Sequence, residues 1–126
     1  MGVMELLSLK GKNALIIGGS KGLGEGIAKG LAEAGAAVVV SSRNQADCDK
    51  AAEMIASSTG RTALGIAADI STKEGVDSLV NAMIEKLGHI DILVNSAGVN
   101  IRKPAIEYTV EDWDKVQDVQ LKGVFL

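Results

Sequence analysis

A chain of 126 residues is one domain's worth and has room for a single core. Apolar residues make up 47% of it, yet Phe, Trp and Tyr occur once each. The core is therefore built from Ala, Val, Ile and Leu, which suits helices packed closely on a parallel sheet. A net charge of −3 and a pI near 5.1 argue against a nucleic-acid-binding face, which needs clustered Lys and Arg. The lone cysteine, Cys48, excludes a disulfide framework and a Cys-based zinc site, and is expected to be an inert helix thiol in a reducing compartment. No segment reaches the roughly 18 apolar residues of a membrane span, and the N-terminus carries no signal-peptide run. The expectation is a soluble cytoplasmic protein with no metal, nucleic-acid or membrane partner.

Asn13–Ile17 is a short apolar run that ends in glycines, after which Leu23, Ile27 and Leu31 recur every four residues up to Gly35. That spacing predicts strand, tight turn and helix. Ala37–Val40 followed by Ser41 is a second strand, and Asn44 to about Thr59 a second helix with a weak stripe through Ala51, Ala52 and Ile55. Thr62–Ala67 is a third strand. Ser71 and Glu74 have capping-box spacing for a helix presenting Val76, Leu79, Val80, Met83 and Leu87, which Gly88 closes. Ile90–Val94 is the fourth strand, Asn95–Glu107 a loop holding the only Pro, and a last helix runs from about Val110 to the end. Strands that are continuous apolar runs, joined by helices of crossover length, predict an α/β fold: a Rossmann-type parallel sheet with helices on both faces. Nothing in the sequence marks a second domain.

Between the first strand and its helix lies Gly18-Gly19-Ser20-Lys21-Gly22-Leu23-Gly24. A glycine turn at a helix N-terminus lets backbone approach a pyrophosphate, which unpaired N–H groups and the helix dipole stabilise. The end of the second strand then meets the adenosine ribose, where an acidic residue would bond the 2′-hydroxyl. Ser41, Ser42 and Arg43 stand there instead. Arg43 with Lys21 makes a two-cation clamp for a 2′-phosphate, so NADP(H) is favoured over NAD(H).

Gly18, Gly22 and Gly24 resemble the TGxxxGxG signature of short-chain dehydrogenases/reductases, and further segments agree in order. Asp69-Ile70 resembles that family's adenine-contacting pair, and Asn95-Ser96-Ala97-Gly98 its NNAG motif. Asp112-Trp113 and Val119-Gln120-Leu121-Lys122-Gly123-Val124-Phe125 resemble its helix with "DW" and "VNLKGVF". The resemblance implies cofactor contacts from Gly18, Ser20, Lys21, Gly22, Leu23, Gly24, Ser42, Arg43, Asp69, Ile70, Asn95, Ala97 and Gly98. Three residues depart from the pattern: Ile17 replaces a Thr that ties the loop to the sheet, Ser96 the second Asn of NNAG, and Gln120 the catalytic-site Asn that holds a relay water. A longer amide at 120 is expected to displace that water.

The family's Ser and Tyr-x-x-x-Lys are absent from these residues; Tyr108 is followed four residues on by Asp112, which fits a loop aromatic at the rim. The resemblance thus implies the N-terminal, cofactor-binding half of an NADP(H)-dependent oxidoreductase that interconverts a secondary alcohol and a ketone, truncated after the fourth strand-helix unit and homo-oligomeric when full-length. Val99–Ala105 resembles the loop of gluconate and deoxygluconate dehydrogenases, where Arg102 would hold a sugar-acid carboxylate; 3-oxoacyl-carrier-protein reductases share most of the other motifs. The alternative is a non-catalytic module that binds a dinucleotide or a partner. His89, with no metal-spaced companion, is expected at the surface, and the fourth strand is expected to leave an apolar edge.

Overall fold

The computed structural model describes residues 1–126. A short helix α1 (Val3–Leu6) precedes β1 (Asn13–Ile17), α2 (Gly22–Glu33), β2 (Ala37–Ser41), α3 (Gln45–Thr59), β3 (Ala63–Gly65), α4 (Lys73–Leu87) and β4 (Ile92–Asn95). A single 3-10 turn (Ala105–Glu107) then leads to α5 (Val110–Gln117), a π-turn (Asp118–Lys122) and α6 (Gly123–Phe125). All four strands are parallel, in the order β3-β2-β1-β4. No helix is long and apolar enough to cross a membrane.

The period of two along each strand sorts the core into two layers. Ala14, Ile16, Val38 and Val40 meet Ala28 and Ala32 of α2 and Ala51, Ala52 and Ile55 of α3. Leu15, Ile17 and Val39 meet Leu79 and Met83 of α4 and Val119 of the π-turn. As the apolar runs predict, β1 and β2 are buried on both faces, whereas β4 is an edge strand whose Leu93 is 54% exposed.

Several boundaries differ from the sequence reading. On α2 the buried face is Gly24, Ala28 and Ala32, and Leu23 and Ile27 point outward. Small side chains let the helix lie close on the sheet, and that proximity outweighs the larger residues beside them. Thr72, not Ser71, caps α4, accepting from the Gly75 N–H at 3.1 Å, because the Ser71 hydroxyl is committed to Asp69 at 2.6 Å. Strand β3 is shorter than Thr62–Ala67, β4 starts at Ile92 rather than Ile90, and the last helix is broken by the π-turn.

At the N-terminal pole of the sheet, buried Asn13 locks β1 to β4. Its side-chain amide donates to the carbonyls of Leu87 (3.2 Å) and His89 (3.0 Å), and its backbone N–H donates to Asp91 Oδ2 at 2.8 Å. His89 Nε2 lies 2.9 Å from the same carboxylate, so this surface residue also has a structural partner. The Asn13 N–H holds the Asp91 carboxyl below its ordinary value, with smaller help from His89 and Lys12.

Three outcomes are expected. A carboxyl lowered by folding adds stability above its unfolded value and loses it as pH falls through the folded one. Acid unfolding below about pH 4 should therefore be less steep in Asp91→Asn than in the parent, as followed by circular dichroism. Gly26 and Gly30 have nothing within 4 Å of an added Cβ, so Gly26→Ala and Gly30→Ala should each stabilise by about 1 kcal/mol in denaturant titration. A Cβ at Gly24 would stand 2.1 Å from Gly18 O, so Gly24→Ala should destabilise by about 1–3 kcal/mol despite its better helix propensity.

Candidate functional site

The hydrogen-bond ladder continues past the strand ends. Gly18 and Gly19 N–H donate to Ser41 O at 2.8 and 3.3 Å, Ser96 N–H to Ile17 O at 2.8 Å, and Ala68 N–H to Ser42 O at 2.9 Å. The loops leaving β1, β3 and β4 are thereby laid along one rim. Ligands of open α/β sheets bind on this rim, where the strand order reverses, which here is between β1 and β4.

Gly18 has a φ of 81°, and a Cβ on it would stand 2.6 Å from Ala97 N and from the Ser96 carbonyl. Only glycine permits that approach. Gly22 also has a positive φ, 58°, but nothing lies within 4 Å of its missing Cβ, so backbone there faces open space. Lys21 is the N-cap of α2 and no side chain caps the helix, leaving its first-turn N–H groups without intrahelical acceptors.

Against this rim lies a cleft of about 430 Å³. Gly18, Ser20 and Lys21 line it from the glycine loop, Ser42 and Arg43 from the end of β2, Asp69 and Ile70 from the segment after β3, and Ala97 and Gly98 from the loop after β4. Nine positions from four separate stretches of sequence therefore meet in one cavity. Gly22, Leu23, Gly24 and Asn95 do not line it. Gly24 is packed under Gly18, Asn95 pairs with Ile17, and the Leu23 side chain is 83% exposed. Arg102 is exposed and unpaired, while its neighbour Lys103 lies 2.7 Å from Asp112 and holds that carboxyl below its ordinary value. Gln120 sits in the π-turn, outside the cleft lining, where its Oε1 accepts from the Val99 N–H at 3.3 Å.

The cleft has fixed charges. The Ser71 hydroxyl and N–H both donate to Asp69 Oδ1 (2.6 and 3.0 Å), and with Arg43 nearby they keep the Asp69 carboxyl ionised below its ordinary range. Arg43 has no carboxylate within ion-pair distance, whereas Lys21 Nζ lies 3.3 Å from Asp47 Oδ2. Cys48 is fully buried on α3 and accepts from the Ser42 N–H at 3.2 Å, with its sulfur 3.1 Å from the Ser42 hydroxyl. It is a brace for the end of β2 as well as a core thiol. The Ser41 hydroxyl beside it is buried without a partner. Sequence reasoning missed Asn44 and Asp47 as lining residues. Asn44 carries an N-cap signal that was legible; no pattern links Asp47 to Lys21, because the fold alone brings them together.

Comparison with known proteins agrees with this geometry. The family model described as short chain dehydrogenase matches residues 12–126. The 2-dehydro-3-deoxy-D-gluconate 5-dehydrogenase of Escherichia coli K12 is 37% identical over 123 residues, which are 98% of this chain and 47% of that protein. Among solved structures, the Pseudomonas aeruginosa RhlG/NADP active-site complex superposes with a TM-score of 0.87 at 39% identity, covering 94% of this chain and 46% of the other. L-Sorbose reductase from Gluconobacter frateurii, solved with NADPH and L-sorbose, gives 0.88 at 33% identity, covering 94% and 45%. The chain spans about half the length of the curated relatives it matches. With its parallel sheet, glycine loop and rim cleft, it belongs to the short-chain dehydrogenase family and corresponds to the N-terminal part of those oxidoreductases.

Proposed function

We propose that the cleft holds NADP(H) in preference to NAD(H), and that the chain is the cofactor-binding part of an enzyme interconverting a secondary alcohol and a ketone. The observation that carries the cofactor choice is Arg43, a guanidinium at the end of β2 with no carboxylate partner, where an acidic residue would exclude a 2′-phosphate. The residues fit a dinucleotide. The open space over Gly22 and the uncapped start of α2 suit a pyrophosphate, whose partners include the Leu23 and Gly24 N–H groups although the Leu23 side chain points away. Arg43, Lys21 and Ser42 would hold the 2′-phosphate, Asp69 and Ile70 the adenine, and Ala97 and Gly98 the far end of the cofactor, with Asn95 anchoring their loop to β1 from outside the cleft lining. When bound, the nicotinamide supplies or accepts the hydride. Gln120, by tying the π-turn to Val99, would position the loop beside it.

Two of the similar proteins are named for, or solved with, sugar-derived substrates, which supports a sugar acid as substrate, with a 3-oxoacyl thioester next. Arg102, exposed on the loop beyond β4, is placed to pair with a carboxylate. A homo-oligomer in the cytoplasm completes this reading. No Tyr-x-x-x-Lys occurs in these 126 residues, so the group that would protonate the substrate oxygen is not such a pair among them.

Arg43→Asp should weaken NADPH binding by about 100-fold, the scale of a lost charge-assisted pair, and leave NADH within about threefold in calorimetric titration. Equal losses would remove the basis for the phosphate assignment. The purified chain should bind NADPH yet show no carbonyl-dependent loss of the NADPH absorbance. Measurable turnover would mean that the proton donor lies within these residues.

A further inference from the structure

Asp47, in the first turn of α3, puts a negative charge into the same end of the cleft as Arg43 and Asn44. Its Oδ2 is the only carboxylate oxygen within ion-pair distance of Lys21 Nζ, at 3.3 Å. The carboxylate is held in register. Its own backbone N–H donates to the Asn44 side chain at 3.0 Å, and the next residue, Cys48, is bonded to Ser42. The ion pair is nevertheless open to solvent, with side chains 78% and 40% exposed, so it is weak enough to exchange. A phosphate dianion that recruits Lys21 must take it from Asp47 and approach a like charge as it does so. A dinucleotide that lacks the phosphate meets neither penalty.

We infer that Asp47 sets the cofactor specificity of the cleft as a counter-charge: it holds Lys21 until a 2′-phosphate displaces it, and so tempers the preference for the phosphorylated dinucleotide. The inference rests on the NADP(H) reading and refines it. Asp47 is a positioning residue that acts through Lys21.

The test is direct titration of the full chain with NADPH and with NADH, for the parent, Asp47→Asn, Lys21→Met and the double variant. Asp47→Asn should tighten NADPH about fivefold and leave NADH within about twofold. In the Lys21→Met background the gain should fall below about twofold, and in the parent background it should shrink as salt rises and the screening length shortens. Asp47→Ser removes the same charge with a helix-start residue and should repeat the result if the Asn variant folds poorly. No gain, an equal gain for both dinucleotides, or a gain undiminished without Lys21 overturns the inference. So does weaker NADH binding in Asp47→Asn, which would make Asp47 a ribose ligand. The parent titration and Arg43→Asp judge the cofactor reading separately: if the parent prefers NADH and Arg43→Asp changes both ligands alike, that reading fails whatever the Asp47 variants do.

Discussion

The close backbone approach of Gly18 to Ser96 and Ala97 is the constraint on which the rest of the rim depends. Three segments converge there without an intervening side chain: the end of β1, the loop after β4 and, through Gly24, the first turn of α2. Each contact fixes another. The glycine loop cannot rise without breaking its bonds to Ser41 O, and the β4 loop cannot move away without breaking the Ser96 bond to Ile17. The cleft is therefore a property of main-chain geometry, which side chains then decorate with charge. Such preorganisation lowers the ordering cost of binding an extended ligand.

The decoration is drawn from different layers. Arg43 and Lys21 come from the loops, Asp47 from a helix, and Asp69 from the segment after β3, where the Ser71 hydroxyl and N–H fix its carboxylate. Burying Cys48 beneath Ser42 lets one core residue serve both packing and site geometry. Asp69 and Ile70 are further confined from both sides. A Cβ at Gly75 would stand 1.8 Å from Asp69 O, and one at Gly123 would stand 2.7 Å from Ile70 O.

The parallel sheet was legible because four continuous apolar runs alternated with helical spacing, and nine of the cleft positions were legible because their motifs sit at strand ends. The face of α2 was not. Hydrophobic spacing weights Leu23, Ile27 and Leu31, whereas the core selected Gly24, Ala28 and Ala32 for their small size and kept only Leu31 of that stripe, half-buried at its margin. Thr72 displaced Ser71 as the α4 cap because of a bond to Asp69 that no spacing rule contains. Helix α1, a single turn, is too short to leave a periodic signal. Asp47 escaped notice because its significance lies in its distance from Lys21, a quantity set only when β1, β2 and α3 are assembled. His89 lay at the surface as expected, but its pairing with Asp91 needed the same assembly.

The π-turn has the character of a phase slip. Within it the Gly123 N–H reaches back five residues to Asp118 O, so this stretch carries one residue more than an α-helical turn would. Everything downstream is rotated by about 100° relative to an uninterrupted helix, the angular step of one residue. That offset is what turns a glycine, rather than a branched side chain, toward the Ile70 carbonyl. The inserted residue thus acts as a phase setter: losing one residue anywhere in the turn would rotate a side chain into the space that only Gly123 fits, and push on the cleft wall from behind.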